Sequence, residues 1–211
     1  MSDTPSRVFI IDDDSSVRTS LARLLNSAGL STEVFACAED YLARERFDGV
    51  ACIILDVRMP GRSGLELQDM LKGLESDLPI LFLTGHGDIP MSVKAIKGGA
   101  VNFLTKPVNE TVLLAAVRQA LVMHKKKLED NELTRKARTS LATLTSRELE
   151  VMRYILSGLR NRQIATHLEI TEKTVKAHRA KIMTKMRVSS AVELGRVGSL
   201  LDIKPTTLAA E

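Results

Sequence analysis

The chain has 211 residues, of which 44% are apolar, so it can form one large domain or two ordinary domains with real hydrophobic cores. Residues 1–120 carry 12 Lys and Arg against 16 Asp and Glu, whereas residues 121–211 carry 18 against 10. No apolar run reaches the roughly 18 residues of a membrane span, no hydrophobic signal region opens the chain, and the two isolated cysteines have no metal-binding spacing. These features predict a soluble, cytoplasmic protein with no membrane partner, in which an acidic domain precedes a basic domain that faces a polyanion.

Short apolar runs alternate with amphipathic stretches in the first half of the chain, which is typical of an α/β fold. Five runs have the length and composition of strands, namely Arg7 to Ile11, Thr32 to Ala36, Ala51 to Leu55, Pro79 to Thr84 and Ala100 to Leu104. Helices are predicted between and after them, starting near Ser15, Glu39, Gly64, Ile89 and the capping residue Asn109. The alternation predicts a flavodoxin-like, doubly wound, five-stranded parallel sheet, for which we take the strand order 2-1-3-4-5.

Polar side chains cluster at the carboxyl ends of four of these strands. The first strand is followed by Asp12 and Asp13, the third by Asp56 and the fifth by Lys106, while Thr84 ends the fourth. Ligands bind outside the carboxyl ends of such a sheet, so three carboxylates would meet there, and a hard cation such as Mg²⁺ would relieve their repulsion. Asp56 is then the candidate nucleophile for a phosphoryl group, and Lys106 would neutralise its charge. Taken alone, an Asp at this position more often simply ends a strand before a turn, and it is the convergence with the other polar residues that favours the functional interpretation.

A helical linker is predicted between the two halves. No Gly or Pro occurs from residue 108 to residue 157, so the fifth helix can continue over residues 123–143. Glu132 and Lys136 stand four residues apart in the favourable order for a helix ion pair. A long coiled coil is not expected, because heptad steps from Val117 reach only polar residues, His124, Asn131 and Arg138. The predicted domains are residues 1–122 and 144–211.

The second domain is predicted to contain four helices and no strands. Thr145 and Glu148 have capping-box spacing at the start of the first helix. The other three are predicted over Arg160 to Leu168, Glu172 to Arg187 and Ala191 to Leu200. At about 100° per residue, one side of the third helix carries Val175, Ile182 and Met186, and the opposite side carries Lys173, Lys176, Ala177, Ala180 and Thr184. A basic face is usually only solvated, but small and cationic residues together suit insertion into a DNA major groove.

Residues 6 to about 122 contain several motifs of one family. These are the acid pair Asp12-Asp13, Asp56 before Met59-Pro60-Gly61, Thr84 before a glycine, and Lys106-Pro107. Together they resemble a two-component receiver domain. The resemblance implies that Asp56 is the phosphoacceptor, that Asp13 binds Mg²⁺ directly and Asp12 indirectly, and that the backbone carbonyl of Arg58 is a further ligand.

The same resemblance implies a set of switch residues. Thr84 would be the switch hydroxyl, and Lys106 would contact the phosphate, ahead of a cis-proline bond. Phe103 takes the aromatic switch position, where many receivers have Tyr, and it cannot donate a hydrogen bond, so any inward swing must be driven by packing. Asp14 extends the acid pair, and it is expected to be either a helix N-cap or a ligand.

A second set of motifs lies between residues 144 and about 200. These are Leu144 to Glu148 with Glu150-Val151, Gly158-Leu159 with Asn161, Ile164-Ala165, Thr174 to Lys176 with His178, and Lys185-Met186. They resemble the LuxR-type helix-turn-helix domain of the NarL/FixJ regulators, and the joined architecture resembles the FixJ branch. This implies that the helix from Glu172 is the recognition helix and that the last helix dimerises the domain.

The resemblance also divides the contacts of the recognition helix with DNA. Lys176 and Ala177 would approach base edges. Contacts mostly with phosphates are implied for Thr171, Lys173, Thr174, Arg179 and Lys181. Ala180 stands where relatives often carry a basic residue, so a thymine methyl group could be its contact.

Together the two resemblances predict a bacterial two-component response regulator. A sensor histidine kinase would phosphorylate Asp56, and the protein would then form a homodimer, bind double-stranded promoter DNA and act with RNA polymerase. It would not be an enzyme, apart from its own phosphoryl transfer and slow autodephosphorylation. Two alternatives are a regulator that works without phosphate, which the complete acid set disfavours, and an aspartyl-phosphate phosphatase, which would normally have a second Asp at the position of Arg58.

An apolar patch is predicted on one face of the first domain. The helix after the fourth strand carries Ile89, Met91, Val93 and Ile96 and is too short to bury all four, and the fifth helix adds Val112, Leu113 and Ala116. Exposed patches of this kind mark interfaces. In the resembling family this face pairs two phosphorylated receivers, and the contact residues expected here are Met91, Val93, Ile96 and Val112.

Overall fold

The structure is a computed structural model that describes residues 6–85 and 89–206. The chain forms two compact units, Met1–Glu129 and Asp130–Glu211. The outer limits that we predicted for the two domains, residues 1 and 211, lie outside the described residues. Among the helices in the described ranges, none has the length and apolar character needed to cross a membrane.

The first unit contains a parallel sheet with the strand order β2-β1-β3-β4-β5. Its strands within the described residues are β1 Ser6–Ile11, β2 Ser31–Phe35, β3 Val50–Leu55, β4 Ile80–Thr84 and β5 Asn102–Thr105. Its helices there are α1 Ser15–Ser27, α2 Ala38–Ala43, α3 Gly64–Gly73, α4 Ile89–Lys97 and α5 Glu110–Leu141. The predicted fold class and strand order are confirmed. Strand β5 begins two residues later than predicted, because Ala100 N still donates to Ala95 O at the end of α4.

Two hydrophobic cores cover the two faces of this sheet, because successive strand residues point to opposite faces. One core contains Phe9, Ile53 and Phe82 of the strands together with Leu67 of α3. The other core contains alternate strand residues, among them Val8, Ile54 and Leu81, packed on Leu25 of α1 and Val117 of α5. Burial on both faces explains why β3 is an unbroken apolar run. It also leaves the carboxyl ends of the strands as the place where polar groups collect.

The second unit packs helices around a core of its own. Its further helices in the described residues are α6 Ser146–Leu156, α7 Asn161–Leu168, α8 Glu172–Met186 and α9 Ala191–Leu200. The predicted capping box is present, because Thr145 Oγ1 accepts from Glu148 N and a Glu148 oxygen accepts from Thr145 N. The core includes Val151, Ile164, Leu194 and, from α8, the three residues predicted to face inward, Val175, Ile182 and Met186.

Candidate functional site

Three predicted site residues meet at the carboxyl edge of the sheet. Lys106 Nζ lies 2.6 Å from Asp12 Oδ2 and 3.2 Å from Asp56 Oδ1. Asp12 follows β1 and Asp56 follows β3, which are neighbouring strands, so their carboxylates lie on the same edge. Lys106 N donates to Thr84 O over 2.8 Å and thereby ties the end of β5 to the end of β4. Strand order therefore places Asp12, Asp56, Thr84 and Lys106 at one site.

The site carries more negative than positive charge. Asp56 is only 5% exposed, and Asp12 and Thr84 are also buried. Burial raises the pKa of Asp56, and the charge of Asp12 adds to this rise, although the Lys106 ammonium opposes it. Burial lowers the pKa of Lys106, but its hydrogen bond to Asp12 and the charges of both carboxylates outweigh that effect, so the pKa of Lys106 is raised. One ammonium serves two buried carboxylates.

The loop after β3 fixes the backbone of Asp56. Arg58 N donates to Asp56 Oδ2 over 2.9 Å, and Gly64 N donates to Val57 O. A Cβ atom on Gly64 would collide with the carbonyl oxygen of Asp56, so only glycine fits at the start of α3. The loop therefore holds the carboxylate of Asp56 through Arg58 N and packs Gly64 closely against the main-chain carbonyl of Asp56. The Arg58 side chain itself is exposed.

Asp13 and Asp14 lie beside this cluster and differ in role. Asp13 is exposed. Asp14 is the N-cap of α1, since its Oδ1 accepts from Ser16 N over 2.8 Å, and the hydrogen bonds from Ser16 lower the pKa of Asp14. The structure therefore supports the capping interpretation of Asp14 over the ligand interpretation.

The charges and oxygen atoms at this edge bear on whether it can hold Mg²⁺. Within the described ranges, no three carboxylate, imidazole or thiol side chains lie close enough together to hold a metal ion, and Lys106 binds both Asp12 and Asp56 instead. Two buried carboxylates beside one ammonium still leave a negative charge at this edge, with Asp13 adjacent in sequence. Carboxylate oxygens next to solvent are the ligands that Mg²⁺ prefers. The charge and the oxygen donors at this edge therefore fit such an ion, although the side chains that the structure describes are not gathered around one point.

The residue that the resemblance places at the aromatic switch position lies close to the core. Phe103, on β5, is partly buried, and its ring centroid is 6.1 Å from that of Phe82. The Lys106-Pro107 peptide bond is cis, as the resemblance implied. Thr84, Phe103 and Lys106 therefore occupy two adjacent strand ends, β4 and β5.

The predicted apolar patch is present in part. On α4, Ile89 is 79%, Val93 45% and Ile96 48% exposed, and on α5, Val112 is 50% exposed. Met91 is partly buried against the core. The inclusion of two α5 residues was wrong, because Leu113 and Ala116 belong to the stripe of that helix that faces the sheet and both are buried. Hereafter the α4 patch denotes Ile89, Val93, Ile96 and Val112.

In the second unit, α8 presents the basic face that the sequence predicted. Its residues that the sequence assigned to DNA are exposed apart from the partly buried Arg179, namely Lys173, Thr174, Lys176, Ala177, Ala180 and Lys181. Thr171, also exposed, caps the helix by accepting from Thr174 N over 3.1 Å. Glu169 has φ 52° and makes the turn between α7 and α8. Helix α8 therefore begins directly after the turn with a capped N-terminus, and its polar side is exposed within this unit.

Three buried or clamping contacts were not predicted from the sequence. Lys185 Nζ lies 2.6 Å from a Glu148 carboxylate oxygen, Ala51 N donates to His124 Nδ1 over 2.9 Å, and the Arg18 guanidinium donates to the backbone after β1. Each joins residues from different elements through a long or rotatable side chain. A helical wheel shows which residues face inward, but it gives no partner on another element.

A sheet of order 2-1-3-4-5 with an acidic, lysine-bearing edge precedes a helical unit in which α8 exposes a basic face. This is the arrangement of a signalling regulator that acts on DNA. Residues 8–118 match the family described as response regulator receiver domain, and residues 142–197 match the bacterial regulatory proteins of the luxR family. The chain belongs to the two-component response regulators of the NarL/FixJ family and is a transcription regulator. Its receiver domain implies a sensor kinase as partner, and its LuxR-type domain implies DNA binding.

Similar proteins share nearly the whole length of the chain. The response regulator protein TodT of Pseudomonas putida is 46% identical over 197 residues, which are 93% of this chain and 87% of TodT. The low-resolution structure of the response regulator StyR has a TM-score of 0.82 and 43% identity, covering 92% of this chain and 98% of StyR. Full-length FixJ from B. japonicum has a TM-score of 0.57 and 37% identity, covering 95% of this chain and 98% of FixJ.

Proposed function

We propose that Asp56 accepts a phosphoryl group from the phosphohistidine of a sensor kinase. The observation that carries this proposal is the buried Asp56 carboxylate, held by Lys106 Nζ and Arg58 N at the end of β3. An Asp56 oxygen attacks phosphorus, the N–P bond breaks and its electron pair returns to the imidazole, leaving an acyl phosphate on Asp56.

The neighbouring residues would stabilise the charge that develops. Lys106 already reaches Asp56 Oδ1 and is placed to pair with a phosphoryl oxygen. Asp12, Asp13, Asp56 and the Arg58 carbonyl would hold Mg²⁺, which when bound neutralises phosphoryl charge. The Thr84 hydroxyl would turn toward the phosphoryl group, and Phe103 would then pack further inward.

Incubation of the full-length protein with acetyl phosphate and Mg²⁺, followed by intact-mass measurement, tests this assignment. The wild type is expected to gain one phosphoryl group, Asp56→Ala none, and the control Asp69→Ala, at an exposed position on α3, one. An Asp56→Ala protein that still gained a phosphoryl group would refute the assignment. Sustained release of free phosphate would favour the phosphatase alternative, and DNA binding that ignored phosphorylation would favour the phosphate-independent regulator.

We further propose that α8 enters the major groove of promoter DNA, from where the protein acts on RNA polymerase. Lys176, which is exposed in mid-helix, would read a base edge, whereas Lys173, in the first turn, would contact a phosphate. Lys176→Ala should weaken specific binding by about 1–3 kcal/mol. Lys173→Ala should weaken specific and non-specific binding alike and reduce the salt dependence. Equal effects of both changes on every DNA sequence would contradict this division.

The third part of the proposal is dimerisation through the α4 patch, together with Met91, when Asp56 is phosphorylated. Its exposed apolar residues are rimmed by Lys94 and Lys97, which suits an interface better than solvent. Val93→Asp should block dimerisation but leave phosphoryl uptake intact. Sedimentation with and without acetyl phosphate measures this, and a Val93→Asp protein that still dimerised would exclude the patch.

A further inference from the structure

Arg18 binds the backbone of the acid pair from the first turn of α1. Its Nη1 donates to the carbonyl oxygen of Asp12 over 2.6 Å and to that of Asp13 over 2.9 Å. These two oxygens belong to the peptide groups on either side of the Asp13 Cα atom. Rotation of those peptide planes is what changes φ and ψ of Asp13. A single guanidinium nitrogen therefore holds both torsions of Asp13.

Asp13 depends on this clamp more than its neighbours do. The Asp12 carboxylate is fixed by Lys106 Nζ and by Asp14 N, and the Asp14 carboxylate is fixed by the hydroxyl and amide of Ser16. The Asp13 carboxylate is exposed, and no group in the described parts of the chain bonds to it. The Asp13 backbone therefore sets where its Cβ atom points, and that backbone is held by Arg18 together with the bond from Asp14 N to Asp12 Oδ1.

The charge of Arg18 works against its hydrogen bonds. A guanidinium close to a cation site repels Mg²⁺, so charge alone predicts that removing Arg18 would tighten metal binding. Preorganisation predicts the reverse, because groups that orient metal ligands typically contribute 10–100-fold to affinity. Arg18 is only partly buried, so solvent and salt weaken its repulsion, whereas both hydrogen bonds are short.

We propose that Arg18 is a positioning residue, which orients the Asp13 carboxylate toward Mg²⁺ through the two carbonyls. This inference rests on the proposed phosphoryl-accepting site and assigns a role to a residue outside its ligand set. Two variants separate position from charge. Arg18→Met keeps the length and removes both donor and charge, whereas Arg18→Lys keeps the charge and can donate, but without the planar guanidinium.

The experiment measures the Mg²⁺ affinity of the full-length protein from the rise of its unfolding midpoint with Mg²⁺ concentration. Arg18→Met should bind Mg²⁺ about tenfold more weakly than the wild type, and Arg18→Lys should lie in between. The matched control is Arg23→Met, because Arg23 is exposed on the same helix, and its affinity should not change. In phosphoryl uptake, Arg18→Met should need more Mg²⁺ for half-maximal rate and approach the wild-type rate when Mg²⁺ is saturating.

The contrary results are distinguishable. If Arg18→Met bound Mg²⁺ as tightly as the wild type or more tightly, Arg18 would act only as a charge or not at all, and the inference would be overturned while the proposed function stood. If the wild type itself neither bound Mg²⁺ nor took up a phosphoryl group, the proposed function would fall as well. Circular dichroism establishes that each variant is folded, and Arg18→Gln replaces Arg18→Met if the latter is not.

Discussion

Both units of this protein bury a carboxylate beside a lysine, but the two pairs are in opposite electrostatic states. In the second unit, Glu148 accepts from Lys185 Nζ and Thr145 N, and these bonds lower the pKa of Glu148 to about 2. In the first unit, Asp56 shares Lys106 with Asp12, and burial raises the pKa of Asp56. Lys185 pairs with one carboxylate, that of Glu148, whereas Lys106 is shared between two carboxylates, those of Asp12 and Asp56.

The difference separates a structural pair from a reactive one. Lys185 also donates to Thr143 O, so it ties the end of α8 to the start of α6, on either side of the core of the second unit. Within the described residues, the Asp56 cluster joins strand ends and forms no such bridge between helices, and its excess charge disfavours the folded state. Clusters of this kind are typical of functional sites, because such sites trade stability for function.

The largest expected effect comes from breaking the structural pair. Lys185→Met should destabilise the second unit by about 3 kcal/mol, because it leaves a buried carboxylate without its cation. The chain has no Trp and two Tyr, of which Tyr154 lies in the second unit, so tyrosine fluorescence in a Tyr41→Phe background reports on that unit. Unfolding by urea, followed at Tyr154, measures the loss.

The control for this change is Lys181→Met, at an exposed position on the same helix. It should alter stability by no more than about 0.5 kcal/mol, as surface substitutions usually do. If Lys185→Met cost no more than this control, the Glu148 pair would be an ordinary surface contact and the comparison would fail.

A smaller effect, of opposite sign in the two units, is expected from neutral isosteres. Glu148→Gln should lower the stability of the second unit by about 1 kcal/mol at pH 7, because the ionised form is favoured by folding. Asp56→Asn should raise the stability of the first unit, because burial disfavours the ionised form there. If both substitutions changed stability in the same direction, folding would not favour the ionised form of one carboxylate and disfavour that of the other.

The pH dependence of Glu148→Gln sharpens this test. The pKa of Glu148 falls from 4.5 to about 2 on folding, so its contribution is present above pH 4.5 and is lost as the pH falls toward 2. The stability difference between wild type and Glu148→Gln should therefore shrink over that window. For Asp56 the direction is reversed: its raised pKa means that the folded state loses stability as the pH rises from 3.8 through the folded pKa.

The same residues show how far sequence reasoning reaches. Alternating strands and helices predicted the sheet, and parallel strands must end on the same edge, so Asp12, Asp56 and Lys106 could be grouped in advance. Glu148 was predicted as a capping residue from its spacing to Thr145, since capping is local. Its partner Lys185 is 37 residues away on another helix, and that contact depends on how α6 and α8 pack.

The prediction failed where it depended on which side of a helix faces the sheet. Leu113 and Ala116 were placed with Val112 in the exposed patch, because the apolar residues of α5 exceed one narrow stripe. The buried face of α5 is formed by residues 113, 116, 117 and 120, so of these three residues only Val112 is exposed. The Arg18 clamp escaped prediction for a different reason: a long side chain can reach several carbonyls, and no pattern in the sequence selects among them.

The smallest expected effect concerns a third buried titratable group, which is neutral. His124 on α5 is 5% exposed, and its Nδ1 accepts from Ala51 N at the start of β3, so only a ring without a proton on that nitrogen can make the bond. Burial lowers the pKa of His124 below 6.5, although the charge of Asp77 opposes this. The unfolded chain therefore binds the proton more readily, and wild-type stability should fall as the pH drops from 6.5 toward the folded pKa. His124→Gln, whose side-chain oxygen can accept the same bond, should lower the stability of the first unit by less than about 1 kcal/mol at pH 7 and should lack this decline.

Unfolding at pH 7 and pH 5, followed at Tyr41 in a Tyr154→Phe background, measures the stability loss and its pH dependence. The control is His167→Gln. A parallel decline in wild type and His124→Gln would assign the pH dependence to other groups.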